Sequence, residues 1–168
     1  MKRVARFEKI SYNQFLKDFS EYGYSEEKLK EIYDNIKLPK RATVGSAGYD
    51  FFLPFDIELK PGETVKIPTC IRAYIEEGYV LQTYPRSGLG FKFRLQLNNT
   101  VGIIDADYYN SSNEGHIFAK ITNDSNEGKI VSLKTGDGFM QGIFMEFFVT
   151  YDDEVSELRD GGFGSTNR

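Results

Sequence analysis

Ile57-Glu58-Leu59-Lys60-Pro61-Gly62-Glu63-Thr64-Val65-Lys66-Ile67-Pro68 decides the fold class. Apolar and polar residues alternate over 57–60 and again over 64–68, the period that turns one strand face toward a core. Pro61-Gly62 between them supplies the fixed φ and the unrestricted φ of a turn. The unit reads as strand, turn, strand. The same texture continues outward. Residues 70–75 and 79–84 are further strands, divided by Glu76-Glu77-Gly78, and strands at 94–97, 101–104, 116–122, 129–133 and 139–150 follow. Pro68 and Pro85 belong at strand ends or edges, where a missing N–H costs least. The aromatic residues, 14 Phe and 11 Tyr with no Trp, suit half-buried pleated surfaces. Many short strands with regular turns predict a mostly β fold, a jelly-roll-like barrel or sandwich.

Upstream of Leu38 the period changes. Ser11 and Gln14 have capping-box spacing, and Ile10 with Phe15 fits a hydrophobic staple. Tyr12, Phe15, Leu16 and Phe19 fall on one helical face, and Gly23 interrupts it. Ser25 caps a second helix whose first turn holds Glu26 and Glu27, where the dipole favours anions. Leu29, Ile32, Tyr33 and Ile36 form its apolar stripe, and Pro39 ends the pattern. The expected organisation is a helical hairpin over residues 1–37 packed on the body, a β domain over 38–158, and a Gly-rich arm over 159–168. The arm's one large apolar residue is Phe163, so it is expected to be mobile without a ligand.

Composition excludes several classes. The 168 residues suffice for a real core, and the net charge of −4 lacks the basic field of a protein that grips duplex nucleic acid. A buried nucleotide site needs only a few local cations, so a nucleotide ligand remains open. The single cysteine, Cys70, rules out an intramolecular disulfide and a Cys-rich zinc site. The single histidine, His116, rules out a His-based metal cluster within one chain. No apolar run approaches the roughly 20 residues of a membrane span. Lys2, Arg3 and Arg6 are not followed by a long apolar stretch, so no signal peptide is expected and the cytoplasm is the expected compartment.

Five segments carry the chemistry: Ala47-Gly48-Tyr49-Asp50, Pro85-Arg86-Ser87-Gly88, the run 102–108 from Gly102-Ile103-Ile104 to Asp105 and Tyr108, Gly136-Asp137-Gly138-Phe139-Met140-Gln141, and Gly161-Gly162-Phe163-Gly164-Ser165-Thr166. A guanidinium at Arg86 can fork onto phosphate oxygens, and Ser87 can donate to a leaving oxygen. Asp105, at the end of an apolar run, can act as a general base toward water; taken alone, it is more readily a turn Asp. Glycines in the last segment let backbone N–H groups converge on an anion, Ser165 and Thr166 add donors, Phe163 can stack on a base, and Arg159 adds charge. The inventory suits a nucleoside triphosphate and its metal.

The order and spacing resemble the five motifs of the homotrimeric dUTPases, from about Leu38 to the C-terminus. The resemblance implies hydrolysis of dUTP to dUMP and diphosphate, with Asp105 positioning the water that attacks the α-phosphorus. It implies that Asn99, six residues before Asp105, recognises uracil with the donor and acceptor of one amide. The backbone of a hairpin around Gly102, Ile103 and Ile104 would read the rest of the base edge, with Phe118 nearby. Tyr108 would lie against the deoxyribose, where a 2′-hydroxyl would clash. Asp50 would hold waters of a Mg²⁺ bound to the triphosphate. Gly88 and Gln141 would complete the substrate contacts. The arm would close over a neighbouring subunit's site in a homotrimer, with no direct nucleic acid or membrane partner. Three departures stand out: Gly138 where the family usually has Arg, Asn110 where it has Gly, and Asn167 where it has Gly. A polar insertion, residues 111–114, also lengthens the third segment. A dCTP deaminase of the same fold is the alternative, but Lys120 stands where its catalytic Glu would be sought. A binding module without turnover is a third reading, against which Asp105, Ser87, Tyr108 and Phe163 argue.

Overall fold

The 57–68 unit folds as two strands that do not pair with each other. In the computed structural model, which describes residues 1–156, the elements in chain order are β1 (Ala5–Lys9), α1 (Tyr12–Asp18), a 3-10 turn (Ser20–Tyr22), α2 (Glu26–Asp34), β2 (Lys40–Arg41), β3 (Tyr49–Phe52), β4 (Ile57–Leu59), β5 (Thr64–Pro68), β6 (Ile71–Ile75) and β7 (Tyr79–Pro85). Then come α3 (Ser87–Phe93), β8 (Leu95–Leu97), β9 (Gly102–Ile104), a second 3-10 turn (Ala106–Asn110), β10 (Phe118–Asn123), β11 (Val131–Leu133) and β12 (Gly138–Glu146). β4 pairs with β11, and β5 pairs with β10. Pro61-Gly62 is therefore a corner at which the chain passes from one sheet to another. Gly62 takes φ +84°, which glycine adopts at little cost, and its N–H reaches Asn123 O at 2.7 Å. Asn123, fully buried, ties the corner by donating to Leu59 O at 2.8 Å and Lys129 O at 2.9 Å.

All pairings are antiparallel. The ladders run β1-β6, β5-β10-β8, β11-β4 and β2-β3-β12-β7-β9. The result is a β-sandwich-like arrangement with no closed barrel among the described residues. Alternate residues of β4, β6, β8 and β10 face inward, as the period-two reading requires. The core centres on Phe51, Ile67, Leu81, Ile121, Val131 and Phe139, all 0% exposed. Full burial of each such side chain is worth roughly 1.5–3 kcal/mol. Pro68 and Pro85 close β5 and β7.

The N-terminal caps form as the spacing predicts. The Ser11 hydroxyl accepts from Gln14 N at 3.1 Å, the Ser25 hydroxyl accepts from Lys28 N at 3.2 Å, and Gly23 takes φ +68°. Phe15 and Phe19, 4.3 Å apart, enter the main core, and Phe19 meets Phe55 at 6.3 Å. One element there escapes a helical reading. Residues 5–9 form β1 and pair with β6 from Ala5↔Ile75 to Lys9↔Ile71. The run Arg6-Phe7-Glu8 is too short for its alternation to stand out beside the helical stripes that follow. Asp50 lies within strand β3. Residues 87–93 form the short helix α3.

Candidate active site

The central sheet assembles the first group of candidate residues by register. Gln141 of β12 lies opposite Asp50 of β3 on one side and Tyr84 of β7 on the other. Arg86 and Ser87 follow directly after β7. Arg86 Nε sits 3.1 Å from Asp50 Oδ1, and its Nη1 donates to Gly138 O at 3.0 Å. Gln141 Nε2 donates to Pro85 O at 3.1 Å. Two glycines make the approach possible. A Cβ on Gly48 would overlap Gln141 Oε1, and a Cβ on Gly138 would lie 2.8 Å from Arg86 Nη1. Gly138, the departure noted in the sequence, thus leaves the space into which Arg86 folds. Asp50, Arg86, Ser87, Gly88 and Gln141 together line an open concavity of about 570 Å³.

A second concavity, about 490 Å³, is lined by Asn98, Asn99, Phe118, Lys66, Lys120 and Asn113. Thr100, at φ +65°, turns the chain sharply after Asn99, and Val101 N donates to Asn99 O at 2.7 Å. Asn99 Nδ2 lies 3.5 Å from where a Gly102 Cβ would stand, and that Cβ would also overlap Thr83 Oγ1. Gly102 therefore lets β9 close on β7 beside the Asn99 amide. β9 is the edge strand of the five-stranded sheet, so one row of its backbone groups has no partner strand. The expected hairpin is not a ladder of its own: β8 pairs with β10 while β9 pairs with β7, and residues 98–101 cross between sheets. Lys66 Nζ stands 4.5 Å over the Phe118 ring.

Asp105 and Tyr108 line neither concavity. Asp105 is exposed and opens the second 3-10 turn directly after β9. Tyr108 is 4% exposed, and its hydroxyl donates to His116 O at 2.8 Å and accepts from Asn113 Nδ2 at 2.9 Å. Its hydroxyl is therefore already engaged within the chain. Because Ile104 pairs with Leu81 in antiparallel register, Asp105 extends toward Val80, away from Arg86. Arg86 lies five residues from Leu81 along β7, roughly 16 Å at about 3.3 Å per strand residue. Arg159, Phe163, Gly164, Ser165 and Thr166 lie outside the described residues. Lys66, Asn98 and Asn113 escape the sequence reading because nothing local marks them; β5, the 98–101 crossing and the insertion bring them together only in space. The arrangement offers a cleft built on an Arg–Asp pair, a second cleft of amides, lysines and an aromatic ring, and an exposed carboxylate that lines neither.

Among the described residues no helix is long and apolar enough to cross a membrane. A family model described as dUTPase matches residues 34–167. The chain is similar to the deoxyuridine 5′-triphosphate nucleotidohydrolase of Lactococcus lactis subsp. lactis (strain IL1403), with 45% identity over 134 residues, covering 78% of this chain and 88% of that protein. It is similar to the crystal structure of dUTPase from Streptococcus mutans at TM-score 0.62 and 37% identity, covering 86% of this chain and 97% of that one. The Staphylococcus bacteriophage 80alpha dUTPase with dUPNHPP shares the fold at TM-score 0.65 and 21% identity, covering 99% of this chain and 100% of that one. These relatives are hydrolases, and they give no support to the deaminase alternative.

Proposed function

The chain belongs to the dUTPase family and hydrolyses dUTP, and from that premise we propose how its residues divide the work. Asp105 orients a water and takes its proton as the oxygen attacks the α-phosphorus. The new O–P bond forms, the bond to the β-phosphate oxygen breaks, and dUMP and diphosphate leave. Arg86 binds phosphate oxygens while Ser87 donates where leaving-group charge develops. Arg86 is held through Nε by Asp50 and through Nη1 by Gly138 O, and Nη2 would serve the phosphate. Asn99 and the unpaired edge of β9 read uracil. The Tyr108 ring lies against the deoxyribose. Segment 161–166, with Arg159, supplies donors and one ring to the bound nucleotide.

A Mg²⁺ would travel with the triphosphate. Among the described residues no group of three or more His, Cys, Asp or Glu side chains gathers as a metal cage. Asp50 offers one carboxylate, already beside Arg86, which fits a cation held chiefly by phosphates and waters. Such an ion neutralises charge on the phosphates.

The observation that carries the reading is the β7–β9 register. Asp105 and Arg86 must act on the same nucleotide, yet roughly 16 Å or more of strand separates them in one chain. The separation supports a homotrimer in which one copy supplies Asp105 and Asn99, and another supplies Asp50, Arg86 and Gln141. Activity of this kind belongs in the cytoplasm, where it would limit uracil incorporation into DNA and supply dUMP. The test is diphosphate release from dUTP, dTTP, dCTP and UTP, with and without Mg²⁺. Selective, Mg²⁺-stimulated turnover of dUTP is expected; comparable conversion of dCTP by deamination would overturn the reading.

A further inference from the structure

Residues 1–33 lie outside the matched family model, which begins at residue 34. They nevertheless grip a single loop of the β domain at three points. Tyr109 Oη donates to Glu8 Oε2 at 2.6 Å. The backbone N–H and hydroxyl of Ser11 donate to the Glu114 carboxylate at 2.8 and 2.6 Å. His116 Nδ1 lies 2.5 Å from Asp18 Oδ2. The tautomer follows from the other ring nitrogen. His116 Nε2 accepts from Cys70 N at 2.8 Å and so carries no proton; Nδ1 carries it and donates to Asp18. His116 is 0% exposed, so this bond is shielded from water.

The gripped loop in turn holds Tyr108. Its hydroxyl is fixed by His116 O and Asn113, and the Ser111 hydroxyl donates to its carbonyl at 2.7 Å. Gly115, at φ +71°, packs so closely that a Cβ there would meet Tyr108 O and Tyr109 Cα at 2.8 Å. Residues 111–114, the insertion noted in the sequence, thus bridge the N-terminal segment and Tyr108. From β6, which pairs with β1, Arg72 adds a bond to Tyr109 O at 2.7 Å.

We infer that the N-terminal segment is a specificity element: through Asp18 and Glu114 it fixes the loop that sets Tyr108 against the sugar. Asp18 and Glu114 are positioning residues, since each acts through the loop. The inference rests on the reading that Tyr108 faces the deoxyribose. An apolar wall rejects an added hydroxyl by only about 10²-fold, and only if it cannot retreat. A ring held by its hydroxyl and carbonyl, in a loop clamped from outside the domain, is a wall of that kind.

The experiment measures the ratio of kcat/KM for dUTP to that for UTP in full-length protein. Tyr108→Ala tests the underlying reading: it must lower the ratio, and if it does not, Tyr108 does not face the sugar and the inference falls with it. Asp18→Ala and Glu114→Ala test the inference. Each is expected to lower the ratio about 3–10-fold, mainly by raising kcat/KM for UTP, with kcat for dUTP within about twofold of wild type. Asp18→Asn should restore most of the ratio, because its amide oxygen still accepts from His116 Nδ1. If Asp18→Ala fails to fold after orphaning a buried N–H, Glu114→Ala at the partly exposed end of the clamp decides the matter. Folded clamp variants with the wild-type ratio, beside a Tyr108→Ala that relaxes it, would reduce the segment to a packing appendage.

Discussion

The two concavities are similar in size, about 570 and 490 Å³, and differ in how they are built. The larger is built on glycines and an ion pair. Gly48 and Gly138 clear space so that Gln141 and Arg86 can lie against the backbone, and Asp50 steers the guanidinium. The smaller is built on amides and an aromatic face, with Asn98, Asn99 and Asn113 around Phe118. One sets a single guanidinium beside a carboxylate; the other adds the Lys66 and Lys120 ammonium groups to its amides and ring. Neither contains Asp105. On the proposed reading, a single chain carries two halves of a site, and Asp105, which follows β9, would act with the half that holds Asn99.

The hardest break in this division is Asp105→Asn. The change is nearly isosteric at an exposed position, so the fold should persist. Loss of the general base should lower kcat by at least about 10²-fold, with nucleotide binding largely intact by titration. Near wild-type kcat would remove Asp105 from the chemistry.

Arg86→Ala should come next. Charge-assisted hydrogen bonds are worth about 1.5–3 kcal/mol, so kcat/KM should fall roughly 10–150-fold. The two variants also sharpen the comparison when combined. If the halves meet across a subunit boundary, co-expressed Asp105→Asn and Arg86→Ala chains will form some sites holding both wild-type residues. Activity above that of either variant alone is expected. A verified mixed assembly that stays as inactive as its parents would show that both residues must come from one chain.

The sequence made the halves legible to different degrees. Strand texture and turn chemistry located most of the ladder, because period-two burial is written locally. The crossing at Pro61-Gly62 was not, since a turn does not say whether its flanking strands pair with each other or with β10 and β11. Asp50, Arg86 and Gln141 were visible as motif residues, but the reason Gly138 is tolerated became clear only when Arg86 was seen folded onto its carbonyl. Residues 5–9 carried too few alternations to announce β1. The clamp on Tyr108 joins positions 98 and 103 residues apart, a separation across which side-chain hydrogen bonds leave no periodic trace.

Gly48→Ala probes the larger concavity with a smaller expected effect. Its Cβ would overlap Gln141 Oε1, at the flexible end of a side chain that can shift. Overpacking of this kind costs about 1–3 kcal/mol, which for a domain of this size lowers Tm by about 2–12 °C. Because Gln141 would be pushed from its place opposite Asp50, KM for dUTP should rise as well. An unchanged Tm and KM would mean that the close approach at Gly48 is incidental.

The smallest effect belongs to the other half, where His116 packs against Phe118 with ring centroids 4.2 Å apart. Burial pushes the His116 pKa below its ordinary value of 6.5, although the hydrogen bond to Asp18 works in the opposite direction. For Asp18, burial acts to raise the pKa, but the bonds from His116 and Gln14 outweigh it and hold the carboxyl below its ordinary 3.8. The sign is the same for both groups. An unfolded chain takes up the His116 proton first, so the stability this residue contributes is complete above about pH 6.5 and declines as pH falls below that value. The Asp18 contribution persists down to about pH 3.8 and fades below it. His116 is the chain's only histidine. One proton bound more tightly by the unfolded state costs at most about 1.4 kcal/mol per pH unit, or a few degrees in Tm. Tm is therefore expected to fall from pH 7 to pH 5 in the wild type. In His116→Gln the fall should be shallower, because the amide can accept from Cys70 N and donate to Asp18 without titrating. Parallel Tm profiles for the two proteins over that range would mean that protonation of His116 does not limit the stability of the fold.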